Sequence, residues 1–194
     1  MSDYFSIEEL KKKGFKKVGR NCKVSNKVSF YNTIGLLGNN VRIDDDVVLK
    51  GRVVIKSNVH IARGCTLSGD KKGIFIENFA TLSNYCQLFS VSDDFLGVNI
   101  PGATLTPLKR KIFSKTYNKK ITIGKAAIIG AFSIILPGSN IGNFSSVGAF
   151  SLIYKTIEHG FYFSNFEKSD GVFKKRNLRQ LNKNYEKLIL SLKK

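Results

Sequence analysis

A large aliphatic residue recurs at every sixth position through most of this 194-residue chain. These residues are Leu37, Ile43, Leu49, Ile55, Ile61, Leu67, Ile76, Leu82, Leu88, Ile123, Ile129, Ile135, Ile141, Val147 and Ile153. A smaller side chain precedes most of them by two positions. An α-helix repeats every 3.6 residues and a flat strand every two, so neither sustains a period of six. Short strands separated by sharp turns do sustain it, with one large and one small side chain inward per strand.

Three hexads make one triangular coil, which is stabilised only by stacking on its neighbours. The pattern predicts an all-β fold, a parallel β-helix, within a single domain spanning 1–194. The coils are expected over 22–155, about five complete coils after a partial first one. The pattern lapses over about 90–120, where Pro101 and Pro107 favour an ordered loop. A long excursion of this kind is expected to cover a functional site.

Helical signals are found at both ends of the chain. Ser6 and Glu9 have the spacing of a capping box, which predicts a short helix within the N-terminal segment 1–21. The C-terminal segment 156–194 has apolar residues at helical spacing from about Lys174 onward. We expect a helix there that caps the coils.

The formal net charge of +18 invites a nucleic-acid interpretation. Its distribution argues against one, because the basic residues concentrate at 11–17, 109–120 and 174–194 and are not interleaved with aromatic residues. A solvated lysine-rich surface, an anionic substrate or cofactor, and peripheral contact with a negatively charged membrane surface remain open. No nucleic-acid partner is expected.

The chain carries no apolar run approaching the roughly 18 residues that a membrane span needs. Its N-terminus lacks the pattern of a signal peptide, so a cytoplasmic location is expected. Cys22, Cys65 and Cys86 all occupy the small inward slot of a hexad and are interpreted as packing residues. Since the histidines are scattered as well, no metal site is expected.

The tandem hexads over 22–155 resemble the hexapeptide-repeat acyltransferases, which fold as left-handed parallel β-helices. The single excursion and the C-terminal segment most resemble the galactoside, maltose and polysaccharide O-acetyltransferases. This resemblance implies acetyl-coenzyme A as the acyl donor and a homotrimer with its active sites between subunits.

The last coils present glycine and alanine on one outward face, which leaves room for an extended pantetheine arm against the backbone. The alternative is that these glycines only serve the coil corners. Lys168 ends the segment where the family usually has a Gly-x-Pro-Ala-Lys/Arg run. Together with the resemblance, this assigns the cofactor to Gly130, Ala131, Ala149, Tyr154, Lys155 and Lys168.

Transfer to a hydroxyl needs a base and a donor for the developing oxyanion. Of the two histidines, His159 lies beyond the repeats and is interpreted as a surface or structural residue. His60 points outward from a coil, while the family's usual catalytic histidine is replaced here by Asp93. The hypothesis is that His60 abstracts the proton and that Asp93 or Asp94 orients its imidazole. The alternatives are an aspartate base and a merely solvent-facing histidine.

The function expected first is acetyl-coenzyme A-dependent O-acetylation of a sugar hydroxyl in surface-polysaccharide or lipo-oligosaccharide synthesis. One alternative is an N-acetyltransferase acting on a nucleotide-linked amino sugar, which would need less basic assistance because a neutral amine is already nucleophilic. Another is a non-catalytic trimeric β-helix that serves as a scaffold.

Overall fold

The computed structural model describes residues 3–95, 97, 99–166 and 171–192, which form a parallel β-helix. The helices are α1 (Ile7–Lys12), α2 (Pro107–Phe113) and α3 (Leu178–Ser191). The strands are β1 (Phe15–Val18), β2 (Lys23–Val24), β3 (Ser29–Leu37), β4 (Arg42–Ile43), β5 (Val48–Ile55), β6 (His60–Ile61), β7 (Thr66–Ile76), β8 (Thr81–Leu82), β9 (Gln87–Phe89), β10 (Val91–Asp93), β11 (Thr116–Asn118), β12 (Ile121–Ile123), β13 (Ile128–Ile129), β14 (Ile134–Ile135), β15 (Asn140–Ile141), β16 (Ser146–Val147), β17 (Leu152–Ile153), β18 (Thr156–Ile157), β19 (Phe161–Ser164) and β20 (Val172–Lys175).

The core is the column of hexad aliphatics that the sequence predicts. Every one of these residues from Leu37 to Ile153 is at most 3% exposed. The small residues that precede them by two positions are buried too, including the serines of the later coils. Ser139 and Ser145 donate hydrogen bonds of 3.0 and 2.6 Å from Oγ to backbone carbonyls of the next coil. The stack thus satisfies these two buried hydroxyls, whereas the buried Oγ of Ser151 has no hydrogen-bond partner among the described residues.

The strands divide into three faces. The long strand β7 pairs with β9 through Thr66–Ser68 and with β12 through Ile74–Ile76, so its two halves lie on different faces. The third face is the sheet β2-β4-β6-β8-β13-β16-β19, to which β20 adds an antiparallel edge. Across the described residues this sheet stacks seven parallel strands, so the helix is longer than the predicted five coils and a partial first one.

The stack also exceeds the predicted limits of 22–155 at both ends. Strand β1 pairs in parallel with β3 before that range, and β18 and β19 continue the parallel ladders after it. The hexad pattern loses its regular spacing at these points although the coil continues. The backbone ladder therefore extends further than the aliphatic signal.

The described part of the excursion is tied to the coils by hydrogen bonds. Strands β10 and β11 pair antiparallel and form its base. The Asn118 amide donates a 2.6 Å hydrogen bond to the carboxylate of Asp70, which lies in β7. The Ser90 hydroxyl accepts a 2.8 Å hydrogen bond from the Asp70 backbone N–H. These contacts fix where the loop begins and ends relative to the coil below.

Both predicted terminal helices are present. Ser6 and Glu9 form the expected reciprocal capping box at the start of α1. In α3, the ring of Tyr185 meets those of Phe79 and Phe144 edge-on, with centroids 5.5 and 5.4 Å apart. The C-terminal helix is thereby held against one corner of the coils. None of the helices in the described ranges is long and apolar enough to cross a membrane.

Candidate active site

Two neighbouring hollows meet beneath the excursion, and both are lined by Ser92 and Asp93 of β10. The first, of about 330 Å³, is lined largely by apolar groups and is called the apolar cavity. The second, of about 610 Å³, is lined by lysines, an arginine, aspartates and hydroxyls and is called the polar cleft. The shared wall at Asp93 is where a group bound in one hollow can reach a group bound in the other.

The apolar cavity follows directly from the coil register. Strands β14 and β17 pair with Ile135 opposite Ile153. The residues that come next in the chain, Leu136 and Tyr154, therefore lie one coil apart on the same side, and both line the cavity. Phe95 of the excursion lines it from the loop side. This wall suits an apolar chain or a thioester arm.

Asp94 is the carboxylate of the apolar cavity with a defined hydrogen-bond shell. The Asn99 amide donates to Oδ2 at 2.7 Å, and the Tyr117 hydroxyl donates to Oδ1 at 3.2 Å. The bond from Asn99 lowers the pKa of the Asp94 carboxyl most, and the bond from Tyr117 lowers it further. The positive charge of Lys115 lowers the same pKa. Asp94 is therefore an oriented carboxylate at neutral pH.

Asp93 ends strand β10, where it pairs with Thr116 of β11. Its side chain is exposed and lines both hollows, whereas Asp94 lines the apolar cavity. The two carboxylates predicted as site residues are thus brought to one place. Sequence reasoning missed Asn99 and Tyr117, which come from distant parts of an irregular loop with no periodic signal.

His60 lies elsewhere in the chain, on β6 of the third face. Its Nε2 is 2.8 Å from Oδ2 of Asp44, and the Arg42 Nε donates to the other oxygen at 2.7 Å. Burial alone would raise the pKa of Asp44, but the hydrogen bonds from His60 and Arg42 outweigh it and the pKa is lowered. Within one chain, the residue that orients His60 is therefore Asp44 and not the predicted Asp93 or Asp94.

The coil register could have revealed this pair. Arg42 lies opposite His60 in the parallel ladder of β4 and β6. Asp44 follows the inward Ile43 of β4, so its outward side chain lies one coil from the histidine. Comparing the residues on neighbouring coils, rather than along the chain, identifies the contact.

The residues predicted to bind the cofactor are not all together. Tyr154 lines the apolar cavity with both aspartates. The ammonium of Lys155 instead lies 4.9 Å from the ring centroids of both Phe163 and Phe173. Lys168 lies outside the described residues.

Gly130, Ala131 and Ala149 lie at a different corner of the coils, after β13 and β16 of the third face. A Cβ on Gly130 would collide with the backbone of Ala149 in the next coil, so close stacking by itself requires glycine there. The two alanines do stack as predicted, since the Ala131 carbonyl accepts a 2.9 Å hydrogen bond from the N–H of Phe150. The small residues on this face thus have a structural explanation, and the cofactor role remains a prediction.

Exposed aromatic rings run along the same corner, a feature that the sequence reading missed. The ring of Phe132 stacks between those of Tyr85 and Phe150, with centroids 5.1 Å apart in each case. All three residues have positive φ, between 56° and 59°. The signal in the sequence is an aromatic residue at the same turn position of successive coils.

His159 was predicted to be a surface or structural residue. It is exposed and meets the ring of Phe144 edge-on, with ring centroids 5.8 Å apart. Within the described ranges, no three His, Cys, Asp or Glu side chains are grouped closely enough to hold a metal ion. Cys65 and Cys86 are buried and Cys22 is half-buried, and all three are free thiols.

The chain is similar to known proteins in both sequence and fold. No model of a known protein family matches the sequence. The chain is 33% identical over 159 residues to a dTDP-4-amino-4,6-dideoxy-D-glucose acyltransferase of Escherichia coli, covering 80% of each protein.

The fold is also similar to that of AntD, an N-acyltransferase from Bacillus cereus. A variant of AntD bound to dTDP-4-amino-4,6-dideoxyglucose and coenzyme A gives a TM-score of 0.88 at 33% identity, over 98% of this chain and 100% of AntD. AntD bound to dTDP and 3-hydroxybutyryl-CoA gives a TM-score of 0.86 at 33% identity over 100% of both chains.

These relatives correct the activity expected first. The prediction of O-acetyl transfer to a sugar hydroxyl is wrong, because the matched proteins are acyltransferases of an amino sugar and AntD is an N-acyltransferase. The closer resemblance to galactoside, maltose and polysaccharide O-acetyltransferases is replaced accordingly. The alternative, N-acylation of a nucleotide-linked amino sugar, agrees better with these relatives. The chain is an acyltransferase and belongs to the hexapeptide-repeat-like β-helix family that includes these E. coli and B. cereus enzymes.

Proposed function

We propose that this protein transfers an acyl group from an acyl-coenzyme A thioester to the amino group of a dTDP-linked amino sugar. The observation that carries the proposal is the meeting of the apolar cavity and the polar cleft at Asp93. An acyl thioester suits the apolar wall, and a charged nucleotide sugar suits the polar one. The relatives support the same pairing, because AntD binds dTDP-4-amino-4,6-dideoxyglucose together with coenzyme A.

The reaction requires that the amine and the thioester are positioned next to each other and that a proton is removed. The neutral amine attacks the thioester carbonyl, the N–C bond forms, and the C–S bond breaks to release the coenzyme A thiolate. A proton must leave the attacking nitrogen, because that nitrogen becomes positively charged. We assign the acceptance of this proton to the carboxylates of Asp93 and Asp94, which line the apolar cavity. The hydrogen bonds from Asn99 and Tyr117 hold Asp94 in one orientation for that role.

Lys119 supplies a positive charge to the same cavity. Its aliphatic stem passes close to Gly138, where an added Cβ would lie 3.0 Å from the lysine Cδ. A cation held beside the thioester oxygen stabilises the negative charge that develops there. We assign this role to Lys119, which the sequence reading did not single out.

The protein is further proposed to act as a homotrimer. Tyr154 lies in the apolar cavity, whereas Gly130, Ala131 and Ala149 lie at another corner of the same chain. One coenzyme A molecule that contacts both groups therefore needs a neighbouring copy. His60 is likewise absent from the lining of both hollows, so it can take part in removing the proton only if a neighbouring subunit brings it to Asp93. Its Nε2 is engaged by Asp44, which leaves Nδ1 as the nitrogen that accepts a proton.

The test is turnover of the full-length protein with defined substrates. Acetyl-CoA and 3-hydroxybutyryl-CoA are each mixed with dTDP-4-amino-4,6-dideoxyglucose, and thiol release and product mass are measured. We expect an amide product with at least one donor. The matched control is the dTDP-sugar with a hydroxyl in place of the amine, which should not react. Acylation of that control without acylation of the amine would overturn the proposal.

A further inference from the structure

We infer that the polar cleft is the subsite for the nucleoside diphosphate, with Tyr31 beneath the base and with Lys50 and Lys71 on the two phosphates. The inference rests on the proposed function of the same site. It adds a location, a direction and three residues that determine which acceptor is held. No part of it depends on the catalytic roles of Asp93 and Asp94.

The coil register puts Tyr31 in a row with polar side chains of the next two coils. Tyr31 pairs with Lys50, and Lys50 pairs with Ser68, on three successive coils. Neighbouring parallel strands lie about 4.8 Å apart, so these side chains form a row along the wall of the cleft. Tyr31 is 56% exposed, which leaves its ring open to a ligand. An open aromatic ring next to a row of polar groups is suited to stacking with a nucleotide base.

The charged groups of the polar cleft suit a phosphate ligand. The cleft is lined by the cations Lys50, Lys71 and Arg110 and by the carboxylates of Asp70 and Asp93. None of these five takes part in a salt bridge with another described residue. Two strongly hydrated ammonium groups without a carboxylate partner are suited to bind phosphate oxygens as point charges.

The positions of the carboxylates give the cleft a direction. Asp70 is engaged by the amide of Asn118 at 2.6 Å. Asp93 lies where the cleft meets the apolar cavity. Cations in the cleft and a carboxylate at its junction match a ligand with an anionic diphosphate at one end and an ammonium group at the other. A nucleotide-linked amino sugar has this polarity.

One hydroxyl of the polar cleft has unused hydrogen-bonding capacity. Ser114 follows α2 and lines the cleft, and its Oγ is buried without a hydrogen-bond partner in the described part of the chain. An unpaired buried hydroxyl is costly unless a ligand or water satisfies it. The guanidinium of Arg110 donates to the carbonyls of Gly102 and Ala103 at 2.8 and 2.7 Å, which holds the loop around this serine in place. A phosphate or ribose oxygen would complete the hydrogen bonding of Ser114.

The experiment measures binding without turnover. Isothermal titration of the full-length protein with dTDP, and separately with inorganic pyrophosphate, is repeated for Lys50→Ala, Lys71→Ala, Tyr31→Ala and Tyr31→Phe. We expect each lysine variant to bind both probes about tenfold more weakly, with a smaller salt dependence. Tyr31→Ala should weaken dTDP binding but not pyrophosphate binding, and Tyr31→Phe should restore it because the ring is kept.

Lys56→Ala is the matched control, because Lys56 is an exposed lysine that follows Ile55 as Lys50 follows Leu49. It lies outside the cleft and should bind both probes as the unaltered protein does. Thermal melting confirms that every variant is folded. The inference is overturned if both lysine variants bind dTDP as tightly as the Lys56 control. If dTDP binds as expected but the amino sugar is not acylated, the proposed function fails and the nucleotide subsite stands.

Discussion

The hydroxyl of Tyr117 donates a hydrogen bond to Oδ1 of Asp94 at 3.2 Å, which joins the two ends of the excursion across 23 residues of sequence. The contact works in two ways. It ties the end of the loop to its beginning, and it acts with the bond from Asn99 to hold the direction of the Asp94 carboxylate. The loop conformation and the readiness of the site for reaction are therefore linked through one hydrogen bond.

Replacing Asp94 by asparagine should lower kcat by about 100-fold, because an amide cannot accept the proton from the attacking nitrogen. Steady-state kinetics with the amino-sugar acceptor measures the change. Asp46→Asn is the control, since Asp46 forms an exposed salt bridge with Arg63 outside both hollows. Equal kcat values for the two variants would remove Asp94 from the mechanism.

Removing the Tyr117 hydroxyl should move the acid limb of the pH–rate profile. Hydrogen bonds from Asn99 and then Tyr117 lower the pKa of Asp94, so its carboxylate stays ionised as the pH falls below the usual aspartate range. In Tyr117→Phe one of these bonds is lost, and activity should decline at a higher pH than in the unaltered protein. An unchanged acid limb would show that another group controls it.

The Asp44 carboxylate should stabilise the fold in a pH-dependent manner. Although burial opposes ionisation, the hydrogen bonds from His60 and Arg42 lower the pKa of Asp44 in the folded protein. Its contribution is therefore present above the unfolded pKa and is lost as the pH falls through the folded value. Asp44→Asn should lower the free energy of unfolding by roughly 1.5 kcal/mol at neutral pH. Urea unfolding at pH 6 and pH 3 should show this difference shrinking at the lower pH.

A mixed-subunit experiment tests whether His60 and the aspartates come from different chains. An Asp93→Asn, Asp94→Asn double variant and a His60→Ala variant are each expected to be nearly inactive. Refolding them together in equal amounts should restore about a quarter of the sites, if each site takes its loop and its histidine from neighbouring copies of a cyclic trimer. If His60→Ala alone retains full activity, His60 takes no part in removing the proton.

Truncating a core anchor should weaken the whole stack. Leu67 is fully buried in the aliphatic column, so Leu67→Ala should lower the free energy of unfolding by about 2 to 5 kcal/mol. Leu108→Ala is the comparison, because Leu108 on α2 is 71% exposed. Similar losses in the two variants would contradict the assignment of the core.

The hexad pattern predicted the core residue by residue because burial in a coil depends only on local spacing. It identified Leu67 and the inward-facing serines without any knowledge of long-range contacts. The pairing of His60 with Asp44 was missed because it joins neighbouring coils, although the 18-residue repeat of the coil contains that information. The shell of Asp94 could not be inferred, because Asn99 and Tyr117 belong to a loop whose path no periodic pattern describes.

The row of Tyr31, Lys50 and Ser68 occupies the same position on successive coils. A ligand that lies along this row contacts one side chain from each coil, at intervals of about 4.8 Å. Each contact comes from a separate coil, so replacing one side chain changes one contact and leaves the others in place. A single substitution in this row would therefore be enough to change the length of acceptor that the protein selects.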